Sequence, residues 1–213
     1  MSDRPVPPMG RRDLFRLGIR KVAQVVTERV EARVTQKARA WFRPPFAAPE
    51  LDFLTRCTRC SDCIDACPHD VLFALDGRYG LASAGTPAAD LLTRGCRLCA
   101  DWPCVAACKT GALRLPDTED GEPAAVATPP LPRLAQARID HARCLPWIGP
   151  ECGACADSCP VPGALAWEGP KPRIDASICT GCGLCREACI TTPKSVLIET
   201  LPPPRDGGEK DGI

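Results

Sequence analysis

The chain has 213 residues, of which 16 are Cys and 24 are Pro, whereas aromatic residues make up only 5%. This composition argues against an ordinary enzyme domain built around one large apolar core, and the 45% of hydrophobic residues argues against a fully disordered chain. The formal net charge of +1 hides an asymmetry, because residues 1–43 carry eleven Lys or Arg against four Asp or Glu.

Residues 1–43 are predicted to form a basic amphipathic arm. Apolar side chains recur there at mostly helical spacing and would form one stripe: Leu14, Val22, Val26, Val30, Val34, Ala38 and Trp41. This stripe would pack on the protein's own body, dock to a partner protein or lie on an anionic membrane surface. Nucleic acid is not expected as a ligand, because the arm lacks interleaved aromatic and polar groups.

Arg11 and Arg12 look like the start of a twin-arginine export signal. Such a signal continues with an apolar core of roughly 7–15 residues, but charged residues from Arg20 to Arg33 interrupt this segment. We therefore expect a cytoplasmic protein. Charged residues also interrupt the other apolar stretches before the roughly 20 residues that a membrane-spanning helix needs, so none is predicted.

The sixteen cysteines fall into four groups of four, and none is left over. In chain order they are Cys57, Cys60, Cys63 and Cys67; Cys96, Cys99, Cys104 and Cys108; Cys144, Cys152, Cys155 and Cys159; and Cys179, Cys182, Cys185 and Cys189. Groups one and four have the spacing C-x-x-C-x-x-C-x-x-x-C. Group two is lengthened by Trp102 and Pro103, and group three has a longer first gap.

This spacing is typical of bacterial ferredoxins, in which three cysteines bind one 4Fe-4S cluster and the fourth binds the neighbouring cluster. Disulfides would need an oxidising compartment, for which the sequence has no ordinary secretory signal. A zinc site usually separates its cysteine pairs by a dozen or more residues. We therefore expect all sixteen cysteines to bind four 4Fe-4S clusters through the cluster irons, or three clusters if the atypical group three stays empty.

A short apolar piece follows each cysteine group, and a similar piece precedes groups three and four, which indicates a repeated unit. The predicted strands are 71–74, 112–115, 137–140, 164–167, 172–175 and 195–198. The predicted fold class is therefore α+β, with tandem two-cluster ferredoxin modules. Their predicted bounds are 50–116 for the first module, 117–136 for a linker rich in proline and acid, 137–200 for the second module and 201–213 for a disordered tail.

Two pairings of the cysteine groups are compatible with the spacing. Nineteen residues separate Cys159 from Cys179, a gap like that of small two-cluster ferredoxins, which favours pairing three with four and one with two. A crossed pairing, one with four and two with three, remains an alternative.

The remaining polar and aromatic residues do not indicate a catalytic site. His69 and His141 are the only histidines, so a His-based acid–base site has little to build on, and we expect no enzyme activity from the chain by itself. Three tryptophans are expected to shield clusters from water: Trp102, Trp147 and Trp167. Acidic residues in the cluster loops, such as Asp62 and Asp65, are expected to form a docking face.

With these motifs, the chain resembles the NapF-type ferredoxins that accompany periplasmic nitrate reductase. The runs that carry the resemblance are Arg43-Pro44-Pro45-Phe46, Phe53-Leu54-Thr55-Arg56-Cys57 and Cys144-Leu145-Pro146-Trp147. The resemblance implies a cytoplasmic accessory iron–sulfur protein that transfers electrons to the molybdenum catalytic subunit of the reductase, or assists its maturation. Group two is more similar to the NapG/MauM-type ferredoxins, and that likeness implies an electron-transfer subunit of a quinol-oxidising chain.

Overall fold

The computed structural model describes residues 41–116 and 130–201. Most of the predicted arm therefore lies outside the described residues, as do 117–129 of the predicted linker and 202–213 of the predicted tail. All sixteen cysteines lie inside the described ranges, and their thiols are free of disulfides. In these two ranges, no helix has the length and apolar character needed to cross a membrane.

Short helices and two-stranded antiparallel sheets make up the described chain. The first half contains α1 (Glu50–Arg56), α2 (Asp62–Asp65), β1 (Leu72–Ala74), a 3-10 turn (Gly77–Tyr79), β2 (Pro87–Ala89) and α3 (Pro103–Ala106). The second half contains β3 (Gln136–Ile139), α4 (Leu145–Ile148), β4 (Leu165–Glu168), β5 (Lys171–Ile174), α5 (Leu184–Ala188) and β6 (Val196–Glu199). This mixture of helices and strands agrees with the α+β class expected from the sequence.

In the second half, the strands pair so that its two ends meet. β3 pairs with β6 in antiparallel fashion, with Gln136 opposite Glu199. β4 and β5 form a hairpin around Gly169 and Pro170, with Glu168 opposite Lys171. Gly169 has a φ of 59°, a left-handed conformation that glycine adopts without steric cost. Cysteine groups three and four are thus each flanked by paired strands.

The first half has a similar but less complete arrangement. β1 pairs with β2, a strand that the sequence did not indicate because Pro87 and its two alanines have low β-propensity. The strand predicted over 112–115 is wrong in extent, since only an isolated bridge joins Ala47 to Leu113. Prolines at 44, 45 and 49 lack the amide hydrogen that a longer ladder would need.

One continuous cluster of buried side chains runs through both halves of the molecule. Among its members are Phe53, Leu91 and Leu113 from the first half, and Ala135, Leu184 and Val196 from the second. Eight of the cluster's members are leucine or valine and only three are aromatic, as the low aromatic content suggested. The cysteine loops therefore belong to one packed body with a shared core.

Arg43 fastens the segment before α1 to this body. Its guanidinium group donates to both carboxylate oxygens of Glu50, at 2.6 and 2.9 Å, and to the hydroxyl of Thr86 at 2.9 Å. The same group lies 4.4 Å from the centre of the Phe53 ring. Both members of the ion pair are largely buried, so Arg43 acts here as a structural anchor.

Candidate functional site

In the first half, the fourth cysteine of each group lies with the first three cysteines of the other group. The thiol of Cys63 interacts electrostatically with Cys108 and with Cys57 and Cys60. We call this set the first site, and its four members line one cavity of about 320 Å³. The second site consists of Cys67, Cys96, Cys99 and Cys104, which interact with one another in the same way.

The second half repeats this exchange of fourth cysteines. Cys155 interacts electrostatically with Cys144, Cys189 and Cys152, and these four residues line one cavity. We call this set the third site. The fourth site consists of Cys159, Cys179, Cys182 and Cys185, which line another cavity. The structure therefore combines group one with group two, and group three with group four.

Left-handed backbone turns shape the ligand loops of groups one, two and four. In each loop, the residue before the second cysteine and the residue two places before the third have a positive φ. The three pairs are Arg59 and Ser61, Leu98 and Trp102, and Gly181 and Gly183. Alternation between left-handed and right-handed residues turns backbone N–H groups toward one concave surface that suits an anion. An iron–sulfur cluster with its sulfides and thiolates is such an anionic group.

Group three replaces the first of these turns with a short helix. The long gap between Cys144 and Cys152 contains α4, which is followed by Gly149. Trp147 in this helix stacks on His141, with ring centres 3.6 Å apart, and its Nε1 donates to the carbonyl of Pro172 at 3.2 Å. The insertion is therefore folded and packed, and it leaves Cys144 among the other cysteines of the third site.

Burial makes several of the cysteines poor thiolates when no metal is bound, whereas at Cys189 hydrogen bonds outweigh burial and lower the pKa to about 6. Burial, reinforced by neighbouring cysteines, raises the pKa of Cys104 and of Cys185 to about 12. The same causes raise the pKa of Cys63 to about 11. Bound iron supplies the positive charge that stabilises thiolates, so cluster binding would release protons from these residues.

The donor sets fit 4Fe-4S clusters in kind and number. Each site offers four cysteine sulfurs, the usual ligand set for this cluster. In 41–116 and 130–201, no three His, Cys, Asp or Glu side chains are close enough to share a single metal ion, whereas the first-site cysteines border a cavity of about 320 Å³.

The second and fourth sites touch through their ligand loops. The backbone N–H of Cys96 donates to the carbonyl of Cys182 at 2.7 Å. The next residue back, Gly95, donates from its backbone to the Glu187 carboxylate at 2.9 Å. A Cβ atom on Gly95 would lie only 2.7 Å from the Cα atom of Leu184. The sites therefore follow one another in space in the order first, second, fourth, third.

Hydroxyl side chains near two of the fourth cysteines are site residues that the sequence analysis missed. Thr191 and Ser195 both lie 3.3 Å from the sulfur of Cys189, and Thr110 lies 3.7 Å from that of Cys108. The signal was present in the sequence. The proline that follows the fourth cysteine in groups one and three is replaced in groups two and four, and a threonine comes next.

The tryptophans and acids singled out in the sequence lie close to the cysteine sets. Trp102 is buried and packs edge-on against Phe46, with ring centres 4.8 Å apart. Trp167 lines the cavity of the third site. Asp62 borders the first-site cavity, where it lies 3.8 Å from the ammonium group of Lys109.

Comparison with known proteins gives a consistent family likeness. The 4Fe-4S binding domain family matches residues 54–80, 142–162 and 176–191. The chain is 34% identical over 202 residues to the methylamine utilization ferredoxin-type protein MauM of Methylophilus methylotrophus, covering 88% of this chain and 85% of MauM. It is 30% identical over 217 residues to the ferredoxin-type protein NapG of Escherichia coli, covering 94% of this chain and 90% of NapG. No solved structure matches the chain.

The NapF-type likeness is the weaker one. NapF of Escherichia coli is 30% identical over 159 residues, which covers 72% of this chain and 83% of NapF. The MauM and NapG matches extend over more of the chain. The expected resemblance to NapF is therefore confirmed in part, since MauM and NapG match the chain more strongly.

Changing Gly181 to Ala is expected to prevent cluster binding at the fourth site. A Cβ at this position would lie 2.1 Å from the carbonyl oxygen of Ala135, and the φ of 70° disfavours any L side chain. Iron analysis of protein purified without oxygen should show a loss of about four irons per chain. Gly153→Ala is the matched control, because a Cβ there meets nothing within 4 Å. Equal iron in both variants would contradict the described loop geometry.

Paired substitutions should reveal which cysteines share a cluster. Because Cys57 and Cys108 belong to the same site, the double variant Cys57→Ala/Cys108→Ala should lose about four irons, no more than either single variant. The double variant Cys57→Ala/Cys67→Ala affects two sites and should lose about eight. If the Cys57/Cys67 variant lost about four irons and the Cys57/Cys108 variant about eight, each fourth cysteine would belong to the site of its own group.

Proposed function

Because the chain belongs to the family of ferredoxin-type proteins that includes MauM and NapG, we propose that it relays single electrons between two protein partners through four 4Fe-4S clusters. It is a multi-cluster 4Fe-4S ferredoxin-type protein of electron transfer. Proteins of this type are generally not catalysts, and no side chain here is assigned a catalytic role.

The four sites defined above would each hold one cluster in two ferredoxin modules. When bound, a 4Fe-4S cluster supplies reversible one-electron storage, at a potential set by hydrogen bonds, charge and exposure. The chain's own part is to fix the sulfur positions and to exclude water. The buried Trp102, two residues before Cys104, would do the latter beside the second site.

The observation that carries this proposal is the direct contact between the ligand loops of the second and fourth sites. The hydrogen bond from Cys96 to Cys182 joins a ligand of one site to a ligand of the other. This contact joins the two sites of the first half to the two sites of the second half, so that the four sites form one continuous line. A storage or purely structural role would not require such a line.

The two ends of the line are the parts open to partners. At the first site, Cys60 is exposed beside Arg59, Asp62 and Lys109. At the third site, two apolar side chains project into solvent, Ile148 at 56% and Ile190 at 65% exposure. One end is charged and the other apolar, which favours two different partner proteins.

The identity of the partners follows the family likeness. The stronger matches to MauM and NapG favour an electron-transfer subunit of a quinol-oxidising chain of the NapG/MauM type. The weaker match to NapF supports the second candidate, an accessory protein that delivers electrons to the molybdenum subunit of a nitrate reductase or assists its maturation. Only electron transfer requires clusters that change redox state reversibly, so that property separates electron transfer, to either partner, from a role in maturation.

The proposed location is the cytoplasm. The charged residues that follow Arg11 and Arg12 leave no apolar export core. Residues 1–40 lie outside the described structure, so the proposal depends on the sequence pattern.

Four reversible one-electron reductions are expected in a redox titration of the full chain followed by electron paramagnetic resonance. Gly95→Val should shift the backbone of Leu184 and weaken the magnetic interaction between the second-site and fourth-site clusters, while the iron content stays unchanged. Gly77→Ala is the control, since a Cβ there meets nothing within 4 Å. Clusters that cannot be reduced and reoxidised would exclude the carrier role. An unchanged magnetic interaction in Gly95→Val would contradict the proposed contact between the second and fourth sites.

Fractionation of cells that produce the full chain tests the location. We expect recovery in the cytoplasmic fraction, and no effect of changing both Arg11 and Arg12 to Lys. Periplasmic recovery that disappears in this double variant would show that the arginine pair is read as an export signal.

A further inference from the structure

We propose that Ser195, Thr191 and Trp167 donate hydrogen bonds to the sulfurs of the third site and thereby raise the reduction potential of the cluster bound there. This role rests on cluster binding at that site, as proposed above. Hydrogen bonds to cluster sulfurs are one of the protein's means of setting a cluster potential.

Two hydroxyl groups converge on the sulfur of Cys189. The Oγ1 atom of Thr191 and the Oγ atom of Ser195 each lie 3.3 Å from it. A sulfur bonded to iron carries no proton, so both hydroxyls must then be the donors. The Oγ1 atom of Thr191 already accepts the backbone N–H of Ser195 at 2.8 Å, which leaves its own hydrogen free to point at the sulfur.

Ser195 faces a second ligand of the same site. Ser195 lines the cavity of the third site together with Cys144. The Ser195 residue is only 2% exposed, so water competes little for its hydroxyl. Ser195 therefore lies near two ligands of the third site, Cys144 and Cys189.

Trp167 brings a buried N–H group that has no acceptor in the described chain. Its side chain lines the cavity of the third site, and its Nε1 atom is buried without a hydrogen-bond partner among the described residues. A buried donor without an acceptor is unfavourable, because the loss of its hydrogen bonds to water is not compensated. A sulfur of a bound cluster would supply the acceptor. Trp147, by contrast, already donates its Nε1 hydrogen to the carbonyl of Pro172.

The direction of the effect follows from charge. A reduced cluster carries one more negative charge than an oxidised one, so donors aimed at its sulfurs stabilise the reduced form more. The first site has the equivalent threonine, Thr110, but its hydroxyl lies 3.7 Å from the sulfur of Cys108. Of the two sites at the ends of the line, the third site therefore has the closer hydroxyl donors.

Redox titration of the full chain, purified without oxygen and followed by electron paramagnetic resonance, tests the proposal. Ser195→Ala should make reduction of one cluster about tenfold less favourable. For a one-electron step, this lowers the reduction potential by about 59 mV. Trp167→Phe should lower the potential of the same cluster, and Thr191→Ser should leave it unchanged, because the hydroxyl is kept.

Matched controls remove the same chemical groups at positions that do not line the cavities of the first, third and fourth sites. Ser83→Ala deletes a buried hydroxyl that donates to the carbonyls of Tyr79 and Gly80. Trp41→Phe deletes the other buried Nε1 without a partner in the described chain, in a side chain that packs with Leu75 and Ala88. Neither control should change any potential.

Unchanged potentials in Ser195→Ala and Trp167→Phe, at full iron content, would overturn the proposal. If Ser195→Ala loses the cluster altogether, Trp167→Phe decides alone, and an unchanged potential in that variant again overturns it. Failure of the underlying function has a different signature. In that case Cys144→Ala would lose no iron relative to the unchanged chain, because no cluster occupies the third site.

Discussion

The exchange of fourth cysteines between neighbouring sites is the constraint on which the described fold depends. Cys67 must reach the second site and Cys108 the first, so the two loops that carry them have to lie side by side. Helices α2 and α3 are accordingly only four residues long, and each ends two residues before its fourth cysteine. The same demand in the second half keeps the loops of groups three and four together. Since the halves share one buried core, cluster binding and folding are expected to be coupled.

The ligand loops accept backbone strain to meet this constraint. In group four the left-handed positions are glycines, whereas in group one they are Arg59 and Ser61. A left-handed conformation costs a side-chain-bearing residue roughly 1–2 kcal/mol. Arg59 gains an offsetting interaction, because its guanidinium group donates to the carbonyls of Ala84 and Ala82 at 2.9 and 2.7 Å. Such strain persists where the surroundings fix the conformation, as they do at many functional sites.

Cysteine spacing encodes a local geometric requirement, and the structure gathers the sixteen cysteines into four sets. That these residues bind clusters stays a prediction. The strands over 137–140, 164–167, 172–175 and 195–198 were also close to β3, β4, β5 and β6. What the spacing could not indicate depends on contacts between distant parts of the chain. Gly95 looks like an ordinary loop glycine until Leu184 is placed against it. Ser195 looks like the first residue of a strand, and only the return of β6 beside β3 puts it near Cys144.

The first and third sites, at the two ends of the line, differ in ways that together favour electron transfer from the first site to the third. At the first site, Cys60 is exposed beside charged side chains, and Lys109 pairs with Asp62 at 3.8 Å. Around the third site, the Trp167 ring lines the cysteine cavity, and two of the four cysteines, Cys144 and Cys189, are buried. Burial alone would lower the potential of a cluster there, because the added negative charge of the reduced state is poorly solvated. Hydroxyl and indole donors offset that penalty without admitting water, so the third site combines protection with a higher potential. An electron that enters at the charged end would then be stabilised at the apolar end, where exposed Ile148 and Ile190 offer a partner a surface that is easily desolvated.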